Sequence, residues 1–464
     1  MRRLALLSVA ALVAVTGLAP QAGAAPVNTT GSRPRPSVLP GADVPSLQNI
    51  APNLLVAFRY SNGVWVQVPV QVDERKQVDL GLVYNQQANN VKPLSYADAN
   101  TFAGPDVNPN VDPNDEIVFM AKDAGGPAPQ FVQPGGVVNG SGVQVRVTDP
   151  LTSGAVGYVY LFRQTGGLNP SAGKNYVTYN FNLLSGNYKT TYKLQDGPNP
   201  ENSLVSTGKY THHFGDRWLS DRLTISVQGG SGVDILDRHK ALFAPGNCVR
   251  SEDTFDDAEG AFIVNKDGPV RAIRSYVGAN SGPSTERTHI FYPRREDIIT
   301  DLRVHTIPSV MDFFDYSPAA SGMKYSNSLN PGDATIDGNP MPENITLGPT
   351  NWERVVGPQG GLVMTQKLST NLSLTPTHYY LDDSTPPDVQ CTGDAFAYGS
   401  SGPRINQTID CTDPNAGSGT CDTNFLETTR TLYFEAPTLT NSLAATRYNQ
   451  AITPPAFTTT PWHA

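Results

Sequence analysis

The sequence lacks the short motifs that identify the common nucleotide-dependent and serine-dependent enzymes. It has no phosphate-binding glycine loop ending in Lys-Ser/Thr, no dinucleotide-binding glycine fingerprint and no Gly-x-Ser-x-Gly elbow. The nearest approach to that elbow, Gly229-Gly230-Ser231-Gly232, is followed by Val233. These absences disfavour kinases, NAD enzymes and serine esterases of the usual kind, and we expect no nucleotide cofactor.

Positive charge is also scarce. The 464 residues hold 33 Lys and Arg against 42 Asp and Glu, which gives a formal net charge of −9. No run of basic residues interrupts the chain. An acidic surface of this kind repels phosphate backbones, and we therefore expect no nucleic-acid partner.

Long apolar runs are confined to the start of the chain. Two arginines precede an apolar stretch from Leu4 to Leu18, and the small residues Ala22 and Ala24 follow it. This order is typical of a secretory signal peptide over residues 1–25. The stretch is also shorter than the roughly 20 apolar residues that a spanning helix requires. We expect a secreted, extracellular protein without a membrane span.

Cysteine is rare, and the absence of any Cys-x-x-Cys pair disfavours a zinc site. The four cysteines are Cys248, Cys391, Cys411 and Cys421. They fit an oxidising compartment and allow three pairings. Cys411 and Cys421 enclose a short polar loop, so we favour a disulfide between them, which leaves Cys248 with Cys391.

Abundant turn residues point to strands instead of helices. The chain has 42 glycines and 39 prolines, which interrupt helices repeatedly. The clearest hairpin joins Leu54–Tyr60 to Val64–Val72 through Asn62-Gly63, because Asn-Gly readily adopts the positive φ values of a tight turn. Similar short runs recur along the chain. We predict an all-β fold, a large or paired antiparallel β-sandwich with long loops.

The chain is too long for one small sandwich, so we expect two domains or one large composite domain. The segment before Leu47 is rich in Pro, Gly, Ser and Thr and cannot bury much apolar surface. The predicted divisions are a signal peptide at 1–25, an extended flexible arm at 26–47, an N-terminal β-sandwich domain at 48–165, a large β-sandwich domain at 166–440 and a C-terminal tail at 441–464.

One segment has the spacing of a calcium loop. Oxygen-bearing side chains recur at alternate positions, and hard cations such as Ca²⁺ prefer oxygen ligands. The predicted ligands are Asp106, Asn108, Asn110, Asp112, Asp115 and Glu116. The segment departs from an EF-hand, since it lacks the glycine at the sixth position and the acid at the twelfth. The alternative is a solvated turn-rich loop ahead of a strand.

Most of the histidines lie between Leu204 and His305, together with many arginines and tyrosines. Imidazoles there could transfer protons, and a guanidinium could bind a carboxylate-bearing substrate. Arg271 and Arg274 differ by an odd number, so in a strand they face opposite sides. The alternative is that these side chains form hydrogen bonds and ion pairs between sheets. The residues expected to bind substrate are Trp218, Arg274, His289 and Arg294.

The turn and strand Gly268-Pro269-Val270-Arg271, within a long all-β chain with scattered His, Tyr and Arg, resembles the galactose-mutarotase-like β-supersandwich of carbohydrate-active proteins. The resemblance covers about residues 166–435. It implies a broad sheet that binds sugar, with Tyr or His as a base and Arg neutralising a uronate. In this sequence the candidates for those catalytic roles are His212, His239, Tyr292 and Arg271.

Two functions follow as hypotheses. The first is a secreted carbohydrate-active protein, a lyase or hydrolase acting on an extracellular, acidic polysaccharide. The second is a non-catalytic cell-surface or matrix protein stabilised by calcium and disulfides. Geometry separates them, because the first requires Tyr, His, Arg and a carboxylate to converge in one open cleft. The second predicts the same side chains dispersed or buried in ion pairs.

Overall fold

We analysed a computed structural model of the chain. The structure describes residues 36–85, 92–187, 200–243, 259–279, 282–340, 345–385, 397–410 and 424–462. Within these ranges, no helix is both long and apolar enough to span a membrane.

The N-terminal part contains nine strands. They are β1 (Pro36–Pro40), β2 (Leu55–Ser61), β3 (Val64–Val68), β4 (Gln71–Asp73), β5 (Arg75–Gln77), β6 (Leu94–Tyr96), β7 (Glu116–Met120), β8 (Gly142–Thr148) and β9 (Val156–Arg163). A four-residue helix, α1 (Leu80–Val83), follows β5. The first sheet has the order β1-β7-β4, and β5 pairs with β6.

Most of the remaining strands belong to the larger second part. They are β10 (Val177–Asn180), β11 (Ser203–Thr207), β12 (Tyr210–Phe214), β13 (Ser220–Ile225), β14 (Leu236–Phe243), β15 (Ala261–Lys266), β16 (Ala272–Ala279), β17 (Gly282–Tyr292), β18 (Arg295–Leu302), β19 (Val310–Tyr316), β20 (Lys324–Asn327), β21 (Ala334–Thr335), β22 (Trp352–Gly357), β23 (Gly360–Thr370), β24 (Pro376–Asp383), β25 (Ala397–Ile405), β26 (Leu426–Glu435) and β27 (Ala456–Trp462). Helix α2 (Asn441–Ile452) precedes β27.

The described strands form antiparallel sheets, which confirms the predicted all-β sandwich-like fold. The largest sheet has nine strands in the order β15-β16-β17-β18-β26-β23-β22-β20-β21. Two four-stranded sheets, β10-β11-β12-β13 and β14-β19-β25-β24, accompany it. A five-stranded sheet has the order β27-β8-β9-β2-β3.

The hairpin predicted from Asn62-Gly63 is confirmed. Strands β2 and β3 pair from Ser61 with Val64 onward, and the two turn residues have φ values of 51° and 81°. These angles are the left-handed values that a two-residue hairpin turn requires. Local sequence therefore determines this part of the fold.

The nine-stranded sheet has two faces with different neighbours. Because side chains alternate along a strand, cross-strand neighbours in one row share a face. The inner face carries three adjacent rows of side chains. The first row is Glu353, Met364, Leu432, Glu296 and Phe291, and the second is Gln366, Arg430, Ile298, His289 and Arg274. The third row is Thr428, Thr300, Arg287 and Tyr276. The outer face carries Arg354, Val363, Tyr433, Arg295 and Tyr292.

Apolar packing holds the two four-stranded sheets against the inner face. Phe214 of β12 and Phe314 of β19 belong to the same buried cluster as Phe291, Leu432 and Phe434 of the nine-stranded sheet. Tyr210 stacks on Phe434 with ring centroids 3.6 Å apart. Burial of large aromatic side chains is worth several kcal/mol in a core of this kind, at roughly 25 cal/mol per Å².

Two terminal segments, predicted as a flexible arm and a tail, form strands in the structure. Of the predicted arm at 26–47, the structure describes the residues from 36 onward. There β1 pairs with β7, and Leu39, Val44 and Leu47 are fully buried. Near the other end, β27 pairs with β8 along its whole length. Partners distant in sequence supply the backbone hydrogen bonds in both cases. The division into domains at residue 166 stays a prediction.

Candidate functional site

A cleft opens between the inner face of the nine-stranded sheet and the facing sheet β14-β19-β25-β24. The cleft has room of about 30 Å³ for the centres of water-sized molecules, within about 410 Å³ of empty space that includes open solvent. We call it the central cleft, and its lining is Trp218, Ala241, Arg287, Thr300, Leu302, Val310, Met311, Asp312, Pro403, Arg404, Ile405 and Thr428. Apolar walls with a few charged groups are typical of small-molecule and sugar sites.

Asp312 lies in this lining and binds three side chains. It accepts hydrogen bonds from Arg287 Nη2 at 2.7 Å and Arg430 Nη1 at 2.9 Å, and it contacts His239 Nε2. Burial alone would raise the pKa of Asp312, but the two guanidinium groups and His239 hold it well below its usual range. Asp312 is therefore an ionised carboxylate at neutral pH.

His239 is neutral beside that carboxylate. Burial lowers the pKa of His239 to about 3, and the cations Arg287 and Arg430 oppose protonation further. Since a carboxylate can only accept, His239 donates its Nε2 proton to Asp312. The Nδ1 atom then accepts from Arg287 Nη1 at 3.4 Å. His239, a predicted catalytic residue, thus orients the carboxylate of the central cleft.

A second pocket adjoins the central cleft, and both are lined by Pro403. We call it the Glu353 pocket. It has room of about 10 Å³ for the centres of water-sized molecules, within about 210 Å³ of empty space that includes open solvent. Its lining is Thr350, Trp352, Glu353, Met364, Thr365, Gln366, Gly402, Pro403 and Arg430. Arg430 connects the two, because its guanidinium also binds Asp312 in the central cleft.

Glu353 is a buried carboxyl group without a hydrogen bond. Its residue is 4% exposed, and neither carboxyl oxygen has a partner. Burial raises the pKa of Glu353 to about 7, although Arg430 and the nearby Ser401 hydroxyl oppose the rise. The Ser401 hydroxyl lies close enough to act on the Glu353 carboxyl, but the two groups do not meet the geometry of a regular hydrogen bond. An unsatisfied buried carboxyl is rare in proteins and costs stability, which marks it as a functional candidate.

The two carboxyl groups differ in protonation state at neutral pH. Asp312 is ionised and Glu353 holds its proton to about neutral pH, with Arg430 between them. Carboxyl groups whose environments separate their pKa values can divide the work of general acid and base. Neither residue is among the candidates predicted from the sequence. The available signal was a single Glu at an inward position of β22, on the same face of the strand as Val355.

His212 and His289 are joined by a buried carboxylate away from the cleft lining. Glu296 accepts from His212 Nδ1 at 2.8 Å and from His289 Nδ1 at 2.9 Å. Burial alone would raise the pKa of Glu296, but both imidazoles lower it to about 2. Burial lowers the pKa of His289 to about 4, so its Nε2 is free to accept from Tyr276.

Ser220 completes a hydrogen-bonded chain of the serine-histidine-acid type. Its Oγ lies 2.8 Å from His212 Nε2, and His212 in turn binds Glu296. This is the connectivity of a catalytic triad. Ser220, His212 and Glu296 are each 0% exposed, however, and neither of the two pockets described above includes them. A substrate could not reach the hydroxyl, and the chain stabilises the contact between sheets.

Arg271 and Tyr292 lie on the outer side of the nine-stranded sheet, separated from His212 and His239. Arg271 donates to Asp73 at 2.8 Å and to Glu116 at 2.5 Å, both in the N-terminal part. Its Nη1 lies 3.4 Å from the Tyr292 hydroxyl. The four predicted catalytic residues therefore do not converge on one point.

The Gly268 turn that carries the family resemblance also contacts the N-terminal part. The Gln71 side-chain oxygen accepts from the backbone nitrogens of Val270 and Arg271 at 3.2 and 3.1 Å. A Cβ at Gly268 would meet the end of that side chain at 2.3 Å, so a larger residue at this position would displace the Gln71 amide from the turn. The turn joins the two parts of the fold and lies outside the central cleft.

The four residues expected to bind substrate are also dispersed. Trp218 lines the central cleft and donates its indole N–H to the Gly278 carbonyl at 2.6 Å. Arg274 is fully buried and forms a bidentate pair with Glu201. Arg294 contacts Glu435 at the turn between β17 and β18. Of this set, Trp218 is the member that lines the cleft.

An acidic cluster forms around two of the predicted calcium ligands. One oxygen each from Glu74, Asp106 and Asp115 lies within 4.8 Å of the others. Both oxygens of Glu74 are buried without a hydrogen bond. Burial, together with the charges of Asp115, Asp106 and Asp112, raises the pKa of Glu74 to about 7. Oxygen donors of this kind suit a hard cation such as Ca²⁺.

The other predicted ligands are engaged locally. Asn108 and Asp112 accept from backbone nitrogens two residues further on, the pattern of turn formation. Glu116 binds Arg75 and Arg271 instead. Spacing alone did not indicate Glu74, which adjoins β4 and reaches the loop through the pairing of β4 with β7. All four cysteines lie outside the described residues, so the predicted disulfides stay predictions.

No protein-family model and no curated protein sequence matches the chain. Solved structures similar to it include a candidate aldose 1-epimerase from Escherichia coli K12, with 10% identity and a TM-score of 0.29, covering 56% of this chain and 99% of that one. Another is an alpha-mannosidase from Enterococcus faecalis V583, with 9% identity and a TM-score of 0.40, covering 92% of this chain and 43% of that one. Both carry the name of a carbohydrate-related protein.

Proposed function

We propose that the protein is a secreted carbohydrate-active enzyme that cleaves an extracellular, acidic glycan at the central cleft. The observation that carries this proposal is the carboxyl pair. Asp312 is kept ionised by two arginines, and Glu353 is kept protonated to about neutral pH by burial. Proton transfer to or from a glycosidic bond requires a carboxyl group whose pKa lies near the working pH.

The roles follow from these environments. Asp312 is held by Arg287 and Arg430, so it is a poor proton acceptor and fixes the two guanidinium groups in the cleft. Glu353 supplies the mobile proton, and because both of its carboxyl oxygens are buried, a substrate reaches them only when the Glu353 pocket opens. A carboxyl group that protonates the leaving oxygen is one of the two carboxyl groups that glycoside hydrolysis uses.

Selection of an acidic glycan is supported by Arg404. This half-buried residue lines the central cleft and donates to Asn406 at 2.8 Å, and it forms no ion pair within the described part of the chain. A guanidinium without a carboxylate partner can bind a uronate in bidentate fashion. Arg287, by contrast, is already paired with Asp312.

The test is a screen of the purified protein against acidic and neutral polysaccharides. New reducing ends report hydrolysis, and absorbance from unsaturated products reports a lyase. We expect turnover that falls by about 10²–10⁴-fold in Glu353→Gln, the range for losing a general acid or base. The control is Glu427→Gln, which changes a carboxyl on β26 that faces away from the inner face. Equal turnover in Glu353→Gln and wild type would contradict the proposal.

Arg404→Gln tests the choice of substrate separately. If Arg404 binds a uronate, the substitution raises KM for the acidic glycan and leaves kcat nearly unchanged, because it removes an interaction present in both ground and transition states. Hydrolysis of a neutral glycan should be unaffected. A uniform loss on both substrates would show that Arg404 does not select acidic sugars.

A second candidate function is a non-catalytic surface or matrix protein stabilised by calcium. The observation that favours it is the pairing of most predicted catalytic side chains, since Arg271, His212 and His289 are all buried against carboxylates. The Glu74 cluster would hold the cation. No turnover on any glycan, together with calcium-dependent thermal stability, would support this function instead.

A further inference from the structure

Four separate turns bring cationic side chains to one region of the surface. Lys122 follows β7, Lys174 precedes β10, Lys209 lies between β11 and β12, and Arg294 lies between β17 and β18. The last two turns are tied together. Tyr210, next to Lys209, donates its hydroxyl to the carbonyls of Tyr292 and Arg295 at 3.0 and 3.2 Å.

Two of these cations share one aromatic ring. Lys122 Nζ lies 3.9 Å from the centroid of the Tyr176 ring, and Lys174 Nζ lies 5.5 Å from it. The ring is fixed in place because the Tyr176 hydroxyl donates to Asp123 at 2.6 Å. Neither lysine forms an ion pair within the described ranges of the chain. We call Tyr176 with Lys122, Lys174 and Lys209 the Tyr176 surface.

The charge balance of the Tyr176 surface favours an anion. Burial lowers the pKa of Lys122 to about 8, and the cations Lys174, Arg294 and Lys209 lower it further. The carboxyl that opposes this effect is Asp123, whose own pKa is raised by burial and whose second oxygen lacks a hydrogen bond. A local excess of cations in a chain of net charge −9 attracts anions from solution.

We propose that the Tyr176 surface binds carboxylate or sulfate groups of an acidic polysaccharide. Lysines from three turns, two of them beside one ring, match charges repeated along a polymer better than one small anion. The choice of a polysaccharide over other polyanions rests on the proposed function. The surface lies apart from the central cleft, since none of its residues lines that cleft. It would hold an acidic glycan while another part of the polymer occupies the cleft.

The test compares the variant Lys122→Gln/Lys174→Gln with wild type. Calorimetric titration with polygalacturonate, dextran sulfate and neutral dextran measures the dissociation constant in low and high salt. We expect the variant to bind both acidic polymers about tenfold more weakly, as loss of two charge contacts of several tenths of a kcal/mol each implies. High salt should weaken wild-type binding, and dextran should not bind at this surface.

The matched control is Lys92→Gln/Lys367→Gln, which removes the same charge at exposed positions elsewhere. Equal binding by wild type and the Tyr176-surface variant, or an equal loss in the control, would overturn the proposal. Tight, lysine-dependent binding of single-stranded DNA with no polygalacturonate binding would overturn the choice of polysaccharide. Glu353→Gln separates the two proposals. If this variant keeps its binding of acidic polymers but loses turnover, binding and cleavage take place at two sites. If wild type binds through these lysines but shows no turnover, the Tyr176 surface is supported and the proposed enzymatic function is not.

Discussion

Arg271 and Glu353, on opposite faces of the nine-stranded sheet, illustrate two uses of a buried charge. On the outer side, Arg271 is matched by Asp73 and Glu116, and its guanidinium is fully engaged. On the inner side, Glu353 is equally buried but neither oxygen finds a hydrogen-bond partner. The matched group holds two parts of the fold together. The unmatched group costs stability, and we infer that it is retained for chemistry.

The largest effect is expected on the matched side. Arg271→Ala would leave Asp73 and Glu116 without their cation, and breaking a buried pair in this way costs about 3–5 kcal/mol. Chemical denaturation should show that loss in the free energy of unfolding. Arg271→Lys, which keeps the charge without the planar fork, should recover part of it. If Arg271→Ala lowers the free energy of unfolding by less than about 1 kcal/mol, the ion pairs of Arg271 with Asp73 and Glu116 do not stabilise the fold appreciably.

The pH dependence of stability sharpens the comparison for Glu353. The pKa of Glu353 rises from 4.5 to about 7 on folding. A raised carboxyl pKa favours folding below pH 4.5, and that contribution is lost as pH rises through about 7. At one pKa unit per 1.36 kcal/mol, the change is about 3 kcal/mol. Wild type should therefore lose stability relative to Glu353→Gln between pH 4.5 and 7.5. Parallel stability curves would contradict the raised pKa.

Glu74 extends the comparison, since it is a second carboxyl without a hydrogen bond. If the Glu74 cluster binds calcium, saturating Ca²⁺ should stabilise the protein, by about 2.7 kcal/mol at one hundred times the dissociation constant. The expected readout is a higher Tm that Glu74→Gln abolishes. Glu427→Gln, outside the cluster, should keep the full response. A calcium response that persists in Glu74→Gln would place the ion elsewhere.

The smallest effect concerns a row of like charges. Glu286, Asp301 and Glu427 are cross-strand neighbours on β17, β18 and β26. Desolvation by the surrounding protein, with the charges of Glu286 and Glu427, raises the pKa of Asp301 to about 7, although much of the residue is still exposed to solvent. Because water reaches the carboxylate, screening limits the gain in Asp301→Asn to less than about 1 kcal/mol at pH 8. No gain is expected at pH 5, and an equal gain at both would exclude repulsion as its cause.

Features set by neighbouring residues could be predicted from the sequence. The β2–β3 hairpin follows from Asn62-Gly63, whose left-handed φ values need no distant partner. The opposite orientations of Arg271 and Arg274 follow from parity along a strand, and their partners do lie in different parts of the fold. In both cases, the information lies within a few residues.

Features that depend on distant partners were missed. Glu353 can be recognised only when Arg430 and the facing sheet are placed around it, because burial without a partner is a property of the assembled site. Glu74 reaches Asp106 and Asp115 through strand pairing that the spacing of the loop does not encode. The run Ala456–Trp462 forms a strand because β8 supplies its partner. Histidine density pointed instead to His212, which is fully paired.

The most direct test of the central claim measures stability and turnover on the same preparation of Glu353→Gln at pH 8. The account predicts a variant at least as stable as wild type that has lost cleavage of acidic polysaccharide, because the group is retained for proton transfer and not for folding. A variant destabilised by more than about 1 kcal/mol would show that Glu353 is structural. Full turnover in a stable variant would equally contradict the claim.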